Sequence, residues 1–141
     1  MSDKLIYTAR VKTNGGRDGG KAVSDDGNLE VALSMPKEFG GPGGNGTNPE
    51  QLFAAAYSGC FLSATKLVAR LEKIKLPEDP TIEAHIGVLA TPEGYKLTAE
   101  LLISIPQVER DIAEKIVAKA HQRCPFSNAT RGNMDVTLTL V

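Results

Sequence analysis

The 141-residue sequence contains only two cysteines, no excess of basic residues and no evident targeting segment. Lysine and arginine together number 16, against 17 aspartates and glutamates, whereas a nucleic-acid-binding protein usually carries a basic excess. No stretch approaches the ~20 apolar residues that cross a bilayer, and the N-terminal residues lack the charged and apolar regions of a signal peptide. We therefore expect a cytoplasmic protein that binds neither nucleic acid nor membrane.

The scarcity of cysteine limits what the two thiols can do. Cytoplasmic proteins seldom use disulfides as structural links, so Cys60 and Cys124 are expected to be inert, metal-binding or redox-active. They are 64 positions apart, so they do not form a C-x-x-C motif. Combined with His85 and His121 they lack the ligand spacing of zinc fingers, although either histidine could approach Cys60 in a cysteine hydrolase.

Hydrophobic patterning predicts a single α+β domain over residues 1–141, with two similar halves of strands and a helix. Alternating apolar residues predict strands, and apolar residues at gaps of three and four predict helices. The predicted strands cover residues 5–11, 29–35, 82–88, 97–103 and 134–140. The predicted helices run from 47 to before 77 and from 108 to about 122, and the Gly- and Pro-rich segment 36–49 is a shaped loop. We expect antiparallel sheets packed against the long central helix.

The central helix is predicted to begin at a capping box of Thr47 and Glu50. Its predicted apolar face consists of Phe53, Ala56, Cys60, Ala64, Leu67, Leu71 and Ile74. In this face Cys60 is either an inert core cysteine or a reactive thiol, because small neighbours leave room for a substrate. Cys124 precedes Pro125, which disfavours helical backbone; this position is either an ordinary helix exit or a more reachable site that would suit a resolving thiol.

Two charged residues are candidates for the same site. Arg17 lies among glycines, so it is either a solvated loop charge or a guanidinium that a flexible loop carries into a site. Glu50 has a capping role already, and a capping carboxylate can also accept a bidentate arginine. Burial raises the pKa of a thiol, so a reactive Cys60 requires a nearby cation, and Arg17 is the candidate.

Four segments of the sequence carry longer motifs. They are GGRDG at 15–19, GTNPEQLFAA at 46–55, YSGCF at 57–61 and RCPFSNATRGN at 123–133. These motifs resemble the organic hydroperoxide resistance (Ohr) proteins of the Ohr/OsmC family, and the resemblance runs from about Tyr7 to the C-terminus. Gly59 and Phe126 depart from it, where many members have Ala and Tyr. The resemblance implies an OsmC-like fold in a bacterial, cytoplasmic, intertwined homodimer without metal or other cofactor.

The resemblance also implies a chemistry. The protein would be a thiol-dependent peroxidase that reduces alkyl or fatty-acid hydroperoxides to alcohols. Cys60 would be the peroxidatic cysteine and Cys124 the resolving one, with a Cys60 sulfenic acid and a Cys60–Cys124 disulfide as intermediates. Arg17 and Glu50 would form the supporting ion pair. A dithiol such as dihydrolipoamide, free or on a lipoylated protein, would recycle the disulfide.

Two further expectations concern the surroundings of Cys60. The apolar residues expected to favour a hydrocarbon-bearing peroxide are Phe53, Phe61, Leu67 and Phe126. Glu50 and Cys60 are ten residues apart, about 15 Å along a helix axis. Either the helix breaks near Ser58 and Gly59, or Arg17 and Glu50 serve the Cys60 of a partner chain. We predict the second arrangement, in an obligate two-fold dimer.

Three other functions stay open at the level of sequence. The first is an OsmC-type peroxidase with a different peroxide preference. The second is a non-catalytic thiol redox sensor, which would form the disulfide but depend on a partner to read it. The third is a binding module with an apolar cavity and inert cysteines.

Overall fold

The computed structural model describes residues 2–141, in which the chain forms two compact units. The first unit extends to Leu52, and the second runs from Phe53 to Val141. The first unit contains a three-stranded antiparallel sheet of β1 (Val11–Asn14), β2 (Lys21–Ser24) and β3 (Glu30–Ala32), in that order. The sequence pattern predicted β3 but missed β2, which is only four residues long.

The N-terminal strand prediction is wrong over most of its length. Residues 5–10 form no strand, and Leu5, Ile6 and Tyr7 are 81%, 92% and 75% exposed. Only from Val11 onward does the segment pair with β2. Alternation marks a segment that fits a half-buried sheet, but a strand forms only where a neighbouring strand supplies backbone hydrogen bonds. The apolar side chains of Leu5, Ile6 and Tyr7 are therefore left uncovered in the single chain.

The segment 36–49 is irregular, as expected, apart from a short 3₁₀ turn at Lys37–Phe39. It leads into the long helix α1 (Pro49–Leu71). The predicted capping box is wrong. Asn48 caps the helix, because its side-chain oxygen accepts a hydrogen bond from the backbone N–H of Gln51 at 2.9 Å, and Glu50 is left free for another contact.

The second unit combines three helices with a three-stranded sheet. Its elements after α1 are β4 (Thr81–Thr91), β5 (Gly94–Ser104), α2 (Arg110–Arg123), α3 (Pro125–Thr130) and β6 (Asp135–Leu140). All of them were predicted within a few residues except α3, which is a single short helix after Cys124. Its first residue, Pro125, suits a first turn because the missing N–H has no helical partner there.

The sheet of the second unit has the order β4-β5-β6. The strands β4 and β5 form an antiparallel hairpin, in register from Thr81 opposite Ser104 to Thr91 opposite Gly94. In contrast, β6 runs parallel to β5, so the expectation of wholly antiparallel sheets is wrong for this pair. Parallel neighbours require a crossover connection, and α2 with α3 supplies it.

One hydrophobic core lies between α1, α2 and the sheet of the second unit. Its fully buried members include Tyr57, Phe61, Leu101, Ile103, Ile116 and Cys124. The predicted apolar face of α1 is partly wrong, since Ala56 is exposed and Leu71 is 55% exposed. Because α1 is apolar on nearly every side, periodicity alone does not distinguish the face that meets the core.

The expectation that no segment could cross a bilayer is also wrong for α1, by length and composition alone. The core helix of a water-soluble protein can meet the same criterion. Here Tyr57, Phe61 and Val68 of α1 are buried in the core of the second unit, so packing accounts for part of the apolar character of the helix.

Candidate active site

The two cysteines lie side by side in the second unit. Cys60 is partly buried on α1 and packs against the core cluster that contains the fully buried Cys124. Both thiols are free. Cys124 has extended backbone between α2 and α3, with φ −68° and ψ 121°, as Pro125 requires of the residue before it. The structure therefore brings together the two thiols that the sequence singled out.

The environment opposes ionisation of Cys60. Burial raises the pKa of the Cys60 thiol, and the neighbouring Cys124 raises it further through charge and hydrogen bonding. Among the described residues, the contribution that lowers this pKa is a hydrogen bond from the backbone N–H of Phe126. The N–H belongs to the first turn of α3. A thiolate at Cys60 therefore has one donor within its own unit but needs further stabilisation at neutral pH.

Three aromatic rings pack in or against the same core cluster as the two thiols. The rings of Phe53 and Phe126 meet edge to face, with centroids 6.0 Å apart, and Tyr57 lies 5.8 Å from Phe126. Phe53 and Phe126 are partly exposed, whereas Tyr57 is fully buried. Their rings offer an apolar surface beside the segment that carries Phe126 N–H.

Two of the predicted pocket residues are placed differently. Phe61 is fully buried, between Tyr57 and the imidazole of His121. Leu67 is partly buried two turns of α1 beyond Cys60 and is absent from the residues packed on the core cluster. Contact of either residue with a substrate stays a prediction, whereas Phe53 and Phe126 have the exposure that such contact requires.

Arg17 and Glu50 form a bidentate ion pair in the first unit. Arg17 Nη1 donates to Glu50 Oε2 at 2.8 Å, and Nη2 donates to Oε1 at 2.5 Å. The hydrogen bond from Arg17 lowers the pKa of Glu50, and the same bond raises the pKa of Arg17. Each partner therefore holds the other in its charged form, and the fork fixes the guanidinium plane.

Phe39 contributes a second contact to Arg17. The guanidinium carbon lies 5.5 Å from the centroid of the Phe39 ring, within the range of a cation–π interaction. Phe39 belongs to the Gly- and Pro-rich segment that the sequence marked as a shaped loop. That segment thus places an aromatic ring against the arginine.

Close backbone approach explains two of the glycines around Arg17, Gly15 and Gly20. A Cβ at Gly20 would lie 1.7 Å from the carbonyl oxygen of Asn14, so no larger residue fits there. Gly15 has φ +65°, and a Cβ at this position would meet Gly20 Cα at 2.7 Å. The loop is therefore a tight, closed turn with Arg17 on its short 3₁₀ helix, rather than a loose glycine-rich tether.

Sequence reasoning missed a buried polar cluster beside the cysteines. The hydroxyls of Tyr57 and Ser127 lie 2.8 Å apart, and His121 Nδ1 lies 2.8 Å from Ser127 Oγ. His121 was considered only as a metal ligand or hydrolase base. Buried hydroxyls leave no periodic signal, so the motif containing Ser127 was the sole pointer to this position.

His85 contacts neither the two cysteines nor the ion pair of Arg17 and Glu50. It is exposed on β4, where Nε2 lies 2.6 Å from Glu83 Oε1, and this carboxylate raises the pKa of the imidazole. Over residues 2–141 no cluster of three or more histidine, cysteine or acidic side chains could hold a metal ion.

Two small sheets, a long central helix and a pair of adjacent thiols, one partly and one fully buried, define an α+β protein of the OsmC type. A family model described as OsmC-like protein matches residues 41–139. An organic hydroperoxide resistance protein of Xanthomonas axonopodis pv. citri is 51% identical over 98% of this chain and 96% of its own length. OhrB of Bacillus subtilis is 41% identical over 96% of this chain and 98% of its own length.

Solved structures agree with the sequence relatives. An organic hydroperoxide resistance protein OsmC of Legionella pneumophila matches with a TM-score of 0.92 and 46% identity, covering 97% of this chain and 98% of that one. The chain belongs to the Ohr/OsmC family.

Proposed function

We propose that this protein is a thiol-dependent peroxidase that reduces organic hydroperoxides to alcohols. The observation that supports this most directly is the adjacency of two free cysteines, one partly buried and one fully buried, at the first turn of α3. The relatives named for organic hydroperoxide resistance point to the same peroxide-related role. We further expect the protein to act in the cytoplasm, apart from nucleic acid and membrane.

The proposed reaction has three steps. The Cys60 thiolate attacks one peroxide oxygen, the O–O bond breaks, and the alkoxide takes a proton to leave as alcohol. The resulting Cys60 sulfenic acid condenses with the Cys124 thiol, which forms an S–S bond and releases water. A dithiol then reduces the disulfide and becomes a disulfide itself. The protein's own residues require no metal or other cofactor for these steps.

Stabilisation of the thiolate is the proposed role of Arg17. Burial raises the pKa of Cys60, so a fixed cation is needed to return the thiol to its reactive form. The fork from Arg17 to Glu50 provides a guanidinium whose orientation is fixed before substrate arrives. The same charge would stabilise the alkoxide as the O–O bond breaks.

Substrate preference follows from the aromatic rings beside the thiols. Phe53 and Phe126 are partly exposed and present ring edges and faces rather than polar groups. An alkyl or fatty-acid chain would bury apolar area against them, whereas hydrogen peroxide would not. We therefore propose an organic hydroperoxide as the substrate, with Phe61 and Leu67 as further candidate contacts.

We propose that the active protein is an intertwined homodimer with Arg17 and Glu50 supplied in trans. Helix α1 is continuous from Pro49 to Leu71, so the break near Ser58 that would allow a site within one chain is not present. Uncovered apolar surface on each unit supports a partner. It comprises Leu5, Ile6 and Tyr7 on the first unit and Ala55, Ala56 and Gly59 on the second.

The test compares three proteins with an alkyl hydroperoxide and with hydrogen peroxide. Wild type is expected to turn over and to prefer the alkyl hydroperoxide. Cys60→Ser is expected to be inactive, and Cys124→Ser is expected to consume about one equivalent and then stall with Cys60 oxidised. Sustained turnover by Cys60→Ser would refute the proposal. Disulfide formation without turnover in wild type, with any dithiol, would instead indicate a redox sensor.

A further inference from the structure

Three polar side chains, two fully buried and one partly buried, connect the segments that carry the two cysteines. Tyr57 of α1, Ser127 of α3 and His121 of α2 form a chain of two 2.8 Å contacts through Ser127 Oγ. Tyr57 and Ser127 are fully buried. Tyr57 lies three residues before Cys60, and His121 lies three residues before Cys124. Each end of the chain is thus about one helical turn from a cysteine.

All the buried polar groups of this hydrogen-bond chain have hydrogen-bond partners. Thr130 Oγ1 lies 3.5 Å from the Tyr57 hydroxyl and donates to the carbonyl oxygen of Phe126 at 2.9 Å. Over residues 2–141 no buried side-chain nitrogen or oxygen lacks a partner. Removing the Ser127 hydroxyl takes away the 2.8 Å partner of both Tyr57 and His121, and leaving a buried polar group without a good partner costs more than the bond itself contributes. The polar cluster therefore has a strong preference for one arrangement of the three helices.

Helix α3 depends on this cluster for its orientation. It has six residues and no side-chain cap at its N-terminus, and so short a helix is unstable without tertiary contacts. Its contacts to α1 include the hydroxyls of Ser127 and Thr130 and the Phe126 ring, which lies 5.8 Å from the ring of Tyr57 and 6.0 Å from that of Phe53. The same helix begins at Cys124 and carries the Phe126 N–H that donates to Cys60.

We propose that Ser127 is a positioning residue, and that the chain Tyr57–Ser127–His121 holds α3 so that the Cys124 thiol and the Phe126 N–H both face Cys60. The catalytic part of this inference rests on the proposed peroxidase function. The step that it assists is the condensation in which the S–O bond of the Cys60 sulfenic acid breaks and water leaves. Its geometric part concerns the thiols alone and holds for any oxidant.

The first experiment measures disulfide closure in Ser127→Ala. Closure is driven by one equivalent of alkyl hydroperoxide and, separately, by the thiol oxidant diamide. With either oxidant, Ser127→Ala is expected to close the Cys60–Cys124 disulfide at least about tenfold more slowly than wild type, the effect of ~1.4 kcal/mol on a barrier. Failure of the peroxidase function would appear as no closure with peroxide in wild type, while the diamide arm would still test the positioning role.

The second experiment measures the rate of Cys60 alkylation against pH, in a Cys124→Ser background. Ser127→Ala is expected to move the profile to higher pH by about one unit, since a hydrogen bond to a charged group is weakened. The matched control is Thr65→Val. Thr65 is fully buried on α1, and its hydroxyl donates to its own helix at Phe61 O, outside the chain. This variant should lose stability without changing closure or the alkylation profile.

Conservative variants separate positioning from general stability. His121→Asn keeps a polar atom near Ser127 Oγ and should close the disulfide faster than His121→Leu. If Ser127→Ala does not fold, Tyr57→Phe removes one of the two 2.8 Å contacts and keeps the ring, and the same slowing is expected of it. Closure and alkylation at the wild-type rate in a folded Ser127→Ala or Tyr57→Phe protein would overturn the proposal.

Discussion

The Arg17 guanidinium binds both carboxylate oxygens of Glu50, at 2.8 and 2.5 Å. A lysine at this position would keep the charge but lose the fork and the contact with the Phe39 ring. We expect Arg17→Lys to reduce kcat/KM for an alkyl hydroperoxide by about 10- to 100-fold, since a charge-assisted hydrogen bond contributes roughly 1.5–3 kcal/mol.

The matched control for this substitution is Arg10→Lys. Arg10 is exposed and lies 3.9 Å from Asp25, without a fork. Equal activity of the two lysine variants would show that the geometry of the Arg17 pair is irrelevant to catalysis.

The reactivity of Cys60 should depend on pH with a definite sign. Burial raises the pKa of Cys60, so the thiolate fraction, and with it the alkylation rate, rises about tenfold per pH unit up to the pKa and then levels off. If Arg17 stabilises the thiolate, Arg17→Ala should move this profile to higher pH. Iodoacetamide alkylation of Cys60 in a Cys124→Ser background measures it, with Arg10→Ala as control. An unmoved profile would remove Arg17 from the thiolate's environment.

Sharing of the site between chains can be tested with mixed dimers. Cys60→Ser and Arg17→Ala chains, each inactive as a homodimer, are co-expressed with different affinity tags and the mixed dimer is purified. In a trans arrangement one site regains both Cys60 and Arg17, so about half of the wild-type activity per dimer is expected. An inactive mixed dimer of correct mass would place the whole site within one chain.

The reductant should be a slender dithiol. A disulfide whose Cys124 partner is fully buried among apolar residues is poorly accessible to charged glutathione, whereas a dithiol completes the second exchange intramolecularly. Dihydrolipoamide is expected to sustain turnover at least about tenfold faster than glutathione at equal thiol concentration. Steady-state peroxide consumption with glutathione, thioredoxin and dihydrolipoamide decides the matter, and equal rates would contradict this expectation.

The parts of the fold that sequence predicts best are those with long periodic patterns. The hairpin of β4 and β5 and the helices α1 and α2 fall near their predicted bounds, because seven or more residues of regular pattern outweigh local ambiguity. The residues of β6 do not indicate whether it pairs parallel or antiparallel to β5, since either strand direction places the same apolar side chains on the core. The exposed segment at Leu5 has the alternating pattern of a strand but forms none.

Some features of the candidate site can likewise be predicted from the sequence, and others cannot. Cys60 and Cys124 are recognisable as isolated cysteines, and the structure places them together. The contact between Arg17 and Glu50 depends on a tight glycine turn and an aromatic ring from another loop, which no local pattern specifies. The cluster around Ser127 cannot be predicted from sequence for a further reason. A serine on a short helix is expected at the surface unless its neighbours in the fold are known.

A disulfide between Cys60 and Cys124 would also affect the free energy of folding. The chain between Cys60 and Cys124 holds β4, β5 and α2, and the two residues are 64 positions apart. Closing a loop of that length lowers the entropy of the unfolded chain and would stabilise the folded state by roughly 4 kcal/mol. By thermodynamic reciprocity, folding lowers the reduction potential of the same bond. Each oxidation by peroxide would therefore leave the protein in its more heat-resistant form, and the reductant must be strong enough to return it to the more labile one.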